Sequence, residues 1–264
     1  ARDLFRIDAV VKSLPSERDQ NFMLSATDNR RYVLKIANAS ESLEVLDFQN
    51  KAMAHIADKT HREGHHEPVC PQAVLSTEGG ATARIDGQGD LQHYVRLVSY
   101  LPGKPLALAR PHDTGLMEDL GCFFGHLDAA LEDFDHPAAD REFHWDLRKA
   151  NRVVGDHIEF IDDRDRRQMV KMLWERFCRY ALPQMPELRQ SVIHNDGNDY
   201  NVLVQSRHRW SQQVSGVIDF GDMLRTVTVA EPAILCAYAM LGKDDPLTTA
   251  QTIVAAYHRC YPLR

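Results

Sequence analysis

The residues able to do chemistry lie in the stretch VIHNDGNDYNVLV (residues 192–204), where two apolar runs enclose a cluster of His, Asn and Asp. Its frame is His194-x-Asp196, with Asn201 five residues after the aspartate. Eighteen residues beyond Asn201 comes IDFGD, which contains Asp219, Phe220, Gly221 and Asp222. Phosphoryl transfer asks a protein for little covalent chemistry but much positioning and charge neutralisation. A carboxylate must face the attacking hydroxyl, and oxygen ligands must hold a hard cation such as Mg²⁺ against the phosphates. A D-x4-N loop, a strand hairpin and a D-F-G turn supply those groups in the order of a kinase signature. A polar turn with Asx hydrogen bonds is the alternative reading of either motif alone. The ordered combination carries the weight; a lone D-F-G or H-x-D carries little.

Such a site also needs a cation for the nucleotide phosphates, brought by an early strand. YVLKI (residues 32–36) supplies Lys35, in the manner of the lysine of V-A-I-K. Standing alone, a strand lysine reads as an exposed edge residue; the two downstream motifs reverse that preference.

The elements that must position these groups follow from local pattern. RRYVLKIA (residues 30–37) reads as a strand paired with NFMLSAT (residues 21–27) across an Asp28-Asn29 turn. In residues 40–59, Leu43, Leu46, Met53 and Ile56 recur at helical spacing behind a Ser40 cap. Strands are then expected in residues 72–77, 80–86 and 91–101, and helices in residues 111–134, 164–185, 230–241 and 247–261. The strand signals of the second half surround the opening motif, in residues 201–205 and 214–220. The expectation is an α+β fold: an antiparallel sheet with one helix over residues 1–98, then a mostly helical lobe over residues 99–264, with the boundary near residues 99–103.

Composition narrows the function classes. The chain has 264 residues, 44% of them apolar, and a formal charge of -7. That charge argues against nucleic acid as a partner and suits a small cationic ligand. No run approaches the ~20 apolar residues of a membrane span, and the N-terminus carries no signal-peptide pattern. The five cysteines (70, 122, 178, 236 and 260) include no C-x-x-C pair; reduced, core-filling thiols and a cytoplasmic location are expected. HREGHHEP (residues 61–68) contains ligand-type side chains, but a Pro- and Gly-containing loop without a second half-site reads as a connection, not a metal site. The chain stops soon after the last acidic motif, as expected of a piece of a larger polypeptide with covalently linked partner domains.

Taken together, LPSERDQNFML, YVLKI, RLVSYLPGKPL, HNDGNDYNVLV and GVIDFGDM resemble the aminoglycoside phosphotransferase and choline kinase superfamily, over nearly the whole chain. LPSERDQNF, WDL (residues 145–147), NDGNDYNVLV and VIDFGDM look most like its hydroxylysine kinase branch. The resemblance implies a protein-kinase-like fold and a role for each matching residue. Asp196 would orient or deprotonate the acceptor hydroxyl, Asn201 and Asp219 would hold Mg²⁺, and His194 would brace the loop. Lys35 would meet the phosphates of ATP or GTP, and the Ser99 carbonyl and Leu101 amide would pair with the base edge.

Two features depart from the family pattern. The phosphate-covering loop has no glycine to let backbone amides approach, leaving Ser16, Gln20 or Asn21 to do part of that work; an ordinary polar turn is the alternative. The helix after Lys35 presents Gln49 where a glutamate is usual, with Glu44 the nearest acid and a solvated face its ordinary reading. A Gln–Lys bond orients the ammonium with less charge assistance.

The superfamily phosphorylates small, usually amine-bearing alcohols. Candidate acceptor-side acids are Asp222, Asp199, Glu231 and Asp146, with caps and solvated carboxylates as the competing reading. The implied reaction is a kinase acting on an amino alcohol or hydroxy amino acid such as hydroxylysine. An aminoglycoside kinase and a non-catalytic nucleotide-binding module are the alternatives, and a module that only binds has no need of Asp196.

Overall fold

The computed structural model describes residues 1–16, 18–62, 69–87, 89, 91–208 and 211–263. The chain forms two compact units, one comprising Ala1–Pro111, His136–Ala138 and Tyr200–Ile218, the other His112–Asp135, Ala139–Asp199 and Asp219–Arg264.

In the first unit a short helix α1 (Arg2–Phe5) precedes strands β1 (Ala9–Leu14), β2 (Gln20–Ala26) and β3 (Arg31–Ile36). β2 and β3 form the expected hairpin. Asn29 turns it at φ 67°, and the Asp28 side chain accepts the Arg30 amide at 3.0 Å. β1 pairs with the other side of β2; its exposed Val10 and Val11 break the inside–outside alternation that would have marked it as a strand. Helix α2 (Leu43–Arg62) buries Leu46, Phe48, Met53 and Ile56. Its cap is Ser42, whose hydroxyl accepts the Val45 amide at 3.2 Å, and not Ser40, which donates to Asn38. The helix begins two residues later than its polar lead-in suggests, so the second serine holds the capping position.

Strands β4 (Ala73–Val74), β5 (Ala83–Asp86) and β6 (Gln92–Ser99) complete the sheet, in the order β1-β2-β3-β6-β4 with β5 also on β6. Phe5, Leu24, Tyr32, Val95 and Leu97 form its buried face; each large apolar side chain there contributes about 1.5–3 kcal/mol by leaving water. β7 (Lys104–Pro105) ends this part of the unit.

The second unit opens with α3 (Thr114–Ala130), capped by Asp113 accepting the Leu116 amide at 2.8 Å. Helices α4 (Ala150–His157) and α5 (Arg164–Arg176) follow. The helix expected to run to residue 185 instead widens over Phe177–Ala181 and tightens over Leu182–Glu187, where Pro183 and Pro186 cannot donate to an α-helical ladder. β8 (Gln190–Ile193) leads into the motif loop. β9 (Val202–His208) and β10 (Ser211–Val217) return to the first unit and form a sheet with β7, in the order β10-β9-β7.

The second unit resumes with β11 (Leu224–Val227), which pairs antiparallel with β8, then α6 (Ala230–Ala239) and α7 (Pro246–Cys260). α7 lies tightly along α3 because α3 presents Gly121 and Gly125. A Cβ on Gly125 would stand 3.0 Å from Cys260 Cβ and from the Tyr257 carbonyl. The expectation of five reduced thiols is corrected at this contact, where Cys122 and Cys260 form a disulfide while Cys70, Cys178 and Cys236 are free. The partners are 138 residues apart, and helix packing, not spacing, brings them together. Among the described residues no helix is long and apolar enough to cross a membrane.

Candidate active site

The pairing of β8 with β11 sets the frame for the acidic groups of the second unit. Ile193, the last residue of β8, stands opposite Leu224, the first of β11. The loop that leaves β8 and the turn that enters β11 therefore lie at one end of the same ladder. The first carries His194, Asn195 and Asp196; the second carries Asp219, Phe220, Gly221 and Asp222.

His194 is fully buried, with its ring edge-on to Phe124 and Phe220 at centroid distances of 6.3 and 4.8 Å. Its Nδ1 accepts the Asp196 amide at 3.3 Å, so the ring proton of the neutral form sits on Nε2. That is a bracing role: the imidazole holds the backbone of the residue two positions on. Asn195 takes the left-handed conformation at φ 64°, which asparagine tolerates better than most residues. Its side-chain nitrogen donates to the carbonyl of Asp222 at 3.2 Å and to that of Trp145 at 3.5 Å, tying loop to turn. Asp196 Oδ1 accepts from Asn198 Nδ2 at 2.8 Å. Gly197 fits because a Cβ there would come within 2.6 Å of Leu235 and 3.1 Å of Phe124.

Asp219 also adopts a left-handed conformation, at φ 64°. Arg141 donates to the Gly221 carbonyl at 2.6 Å while stacking over Phe143. Asn195, Asn198 and Arg141 all shape this end of the ladder. The first two stood inside the motif as spacer positions, and Arg141 had no sequence signal. A further group emerges on α6: the Tyr238 phenol, 39% exposed, is pushed up by partial burial and then by the charges of Asp196, Asp199 and Asp222. Those three carboxylates thus act on one exposed ring.

Two acceptor-side expectations are corrected. Glu231 is fully buried, and its Oε2 accepts the Asn195 amide at 3.0 Å, so no ligand can reach it from solvent. Asp146, 1% exposed, pairs with Arg148 at 2.8 Å and accepts from Thr226 at 2.7 Å. Burial alone would raise its pKa, but the hydrogen bonds from Arg148 and Thr226 outweigh that and hold it below the usual carboxylate range.

In the first unit Lys35 lies on β3 between Asn21 of β2 and Arg96 of β6, its register partners on either side. Directly opposed residues share a sheet face, so the three make one row. Asn21 Oδ1 is buried without a partner among the described residues. Gln49 on α2 is buried, whereas Glu44 is exposed in the first turn. Gln20 is exposed, and the Ser16 hydroxyl donates to the Asp19 carbonyl; Glu17 of the same loop lies outside the described residues. Ser99 ends β6, its hydroxyl accepting the Gln72 amide at 2.9 Å, and Leu101 is buried two residues on. Asn201 is buried, and its carbonyl accepts the Ile218 amide at 2.9 Å, one residue before Asp219 in the chain. Of HREGHHEP, residues 63–68 lie outside the described residues.

Residues 10–264 match the model of the phosphotransferase enzyme family. The chain belongs to that family. It is 30% identical over 275 residues to a hydroxylysine kinase of Mus musculus, covering 96% of this chain and 70% of that one. With a hydroxylysine kinase of Danio rerio it shares 29% identity over 265 residues, covering 97% and 72%. Among solved structures it is similar to amicoumacin kinase hAmiN in complex with AMP-PNP, Ca²⁺ and Ami (TM-score 0.69, 14% identity, 98% of this chain and 74% of that one). A microcompartment-associated aminopropanol kinase is also similar (TM-score 0.64, 16% identity, 97% and 77%). The structural likeness bears out the α+β, protein-kinase-like fold expected from the motifs. This phosphotransferase therefore presents the family's acidic loop and turn at one end of the β8–β11 ladder.

Proposed function

We propose that this phosphotransferase transfers the γ-phosphate of ATP or GTP to the hydroxyl of a small amine-bearing acceptor, a hydroxy amino acid or amino alcohol, with hydroxylysine the leading candidate. The observation that carries the acceptor class is that the charges of Asp196, Asp199 and Asp222, after partial burial, act on the exposed Tyr238. Gathered negative charge raises the local concentration of a cation, and an aromatic face beside it suits an ammonium. The relatives named as hydroxylysine kinases and the similar aminopropanol kinase support the same class.

In this reading Asp196, oriented by Asn198, takes or directs the proton of the acceptor hydroxyl. Asp199 and Asp222 receive the acceptor ammonium. Lys35 meets the nucleotide phosphates, with Gln49 orienting it and Ser16, Gln20 and Asn21 lining the phosphate loop. The Ser99 carbonyl and the Leu101 amide serve the base. Asn201 and Asp219 offer one amide and one carboxylate oxygen to a divalent cation. Among the described residues no group of three or more His, Cys, Asp and Glu side chains could cage a metal. So small a set of hard donors fits Mg²⁺, which keeps several waters and shares substrate phosphates. When bound, that ion neutralises charge on the transferring phosphoryl group.

The test is a transfer screen with Mg²⁺, ATP or GTP, and hydroxylysine, ethanolamine, choline, homoserine or kanamycin, read as nucleoside diphosphate release above the no-acceptor rate. Turnover with hydroxylysine or a small amino alcohol supports the reading. Turnover with kanamycin alone moves the acceptor to the aminoglycosides. Silence across the panel with nucleotide still bound favours a binding module.

A further inference from the structure

The transfer reaction leaves one buried cluster of the second unit without a role. Asp128 on α3, Glu231 on α6 and Tyr257 on α7 are each 0% exposed. The Tyr257 hydroxyl donates to Asp128 Oδ2 at 2.5 Å. Glu231 Oε2 accepts the Asn195 amide at 3.0 Å, and the His194 amide bonds the same carboxylate. Each acid nonetheless keeps one buried oxygen, Asp128 Oδ1 and Glu231 Oε1, with no hydrogen-bond partner among the described residues.

Two ionised carboxylates cannot rest comfortably in such a place, because each desolvated charge costs several kcal/mol unless it is paired and fully hydrogen-bonded. The cation that acts on the cluster is Arg189, whose guanidinium lies 3.8 Å from the Tyr261 ring centroid and favours the charged form of Asp128. One guanidinium balances one carboxylate. The second acid must keep its proton for the cluster to be neutral.

The donors decide which acid carries the charge. Glu231 has two backbone amides supporting its anion, whereas Asp128 has a single phenol and the smaller effect of the Arg189 charge. Burial, then the charge of Glu231, pushes Asp128 well above the usual carboxylate range. Burial also pushes Glu231 up to about 7, with Asp196 adding to the rise and the two amides opposing it.

We infer that Asp128 and Glu231 hold one proton between them in the working enzyme, carried by Asp128, and that ionised Glu231 is a positioning residue that clamps the backbone of the catalytic loop. Glu231 reaches the acceptor chemistry only through the amides of His194 and Asn195, the two residues before Asp196. As pH falls through its titration the clamp weakens and turnover falls, while nucleotide affinity, which does not depend on this loop backbone, changes little. The groups facing the pair are Tyr257 on α7, Tyr261 just after it, Arg189 before β8 and Asp196 in the loop itself. The role in turnover rests on the proposed kinase reading; the shared proton does not.

The experiment uses the whole chain and two readouts that need no acceptor. Infrared spectroscopy with carboxyl-labelled aspartate should show, at pH 8, the carbonyl stretch of a protonated acid that is missing from D128N. Hydrogen exchange should show the His194 and Asn195 amides opening about tenfold faster or more in E231Q than in the parent at the same pH. With an acceptor from the screen, E231Q should lower kcat roughly 10- to 100-fold, as misplacement of a reacting group does. Its nucleotide KM should stay within about twofold, and it should lose the acid limb near pH 7. Absence of the protonated-acid band in the parent, its persistence in D128N, or unchanged amide protection in E231Q would overturn the inference. An inactive parent with the band and the protection both as expected would instead count against the kinase reading.

Discussion

Asp196 Oδ1 accepts a hydrogen bond from Asn198 Nδ2 at 2.8 Å, two residues further along the same loop. The contact orients the carboxylate from within its own loop. It also separates two classes of acid at this end of the β8–β11 ladder, one aimed by a side chain, the other, Asp219, aimed by a left-handed backbone.

Replacement of these two acids should give different kinetic signatures. Asp196→Ala should lower kcat by about 10²–10⁴-fold, the usual contribution of a positioned acid–base group, while nucleotide binding stays within a few-fold. Asp219→Ala should instead weaken Mg²⁺-dependent nucleotide binding itself, measurable by titration calorimetry without an acceptor. Near-normal turnover in the first variant would remove Asp196 from the chemistry.

Gly197→Ala tests how tightly the loop is seated. The added methyl would meet Leu235 at 2.6 Å and the Phe124 ring at 3.1 Å, and overpacking of that kind costs typically 1–3 kcal/mol. Chemical denaturation should show a loss on that scale, accompanied by a lower kcat because Asp196 is the adjacent residue. A variant as stable and as active as the parent would mean that the loop yields freely.

Asp146 is expected to matter for folding and not for acceptor choice. It lies buried between Thr226 and Arg148, whose side chain is 36% exposed, and removal of a buried hydrogen-bonding partner costs about 1–3 kcal/mol. Asp146→Ala should lose stability on that scale in denaturant titrations, with the acceptor KM of the folded fraction unchanged. A selective rise in acceptor KM would restore the acceptor-side role first expected for it.

The pH dependence of stability follows from two opposed groups of acids. Asp128 and Glu231 titrate higher folded than free. Their contribution is full below the ordinary carboxylate range and lost as pH rises through their folded values, about 7 for Glu231. Asp146 and Asp47 titrate lower when folded, so theirs is present above that range and lost only in stronger acid. Between pH 5 and 8 the buried pair dominates, and stability should decline with rising pH by up to about 1.4 kcal/mol per unit for each proton released. Thermal unfolding across that window should show the decline, and D128N should flatten it; a rising melting temperature would contradict the assignment.

Local spacing alone determined a good deal of this protein. The hairpin of β2 and β3 was legible because its turn residues and Asp28 cap act over two or three positions. The protein-kinase-like fold was implied by the family resemblance that the H-x-D, D-x4-N and D-F-G elements and the strings around them carry. The positions of α2, α3, α6 and α7 followed from a period that each helix carries within itself. What stayed hidden depends on contacts between distant segments. β8 and β11 have four residues each and are recognisable only by pairing with one another across the intervening hairpin. Cys122 and Cys260 meet because two α3 glycines let α7 close upon it. Glu231 and Asp146 read as surface acids from their residue type, since nothing in a one-dimensional pattern marks which carboxylates the core will enclose. Tertiary packing decided that question, because burial and the donors it brings together change what an acid can do far more than its neighbours in sequence do.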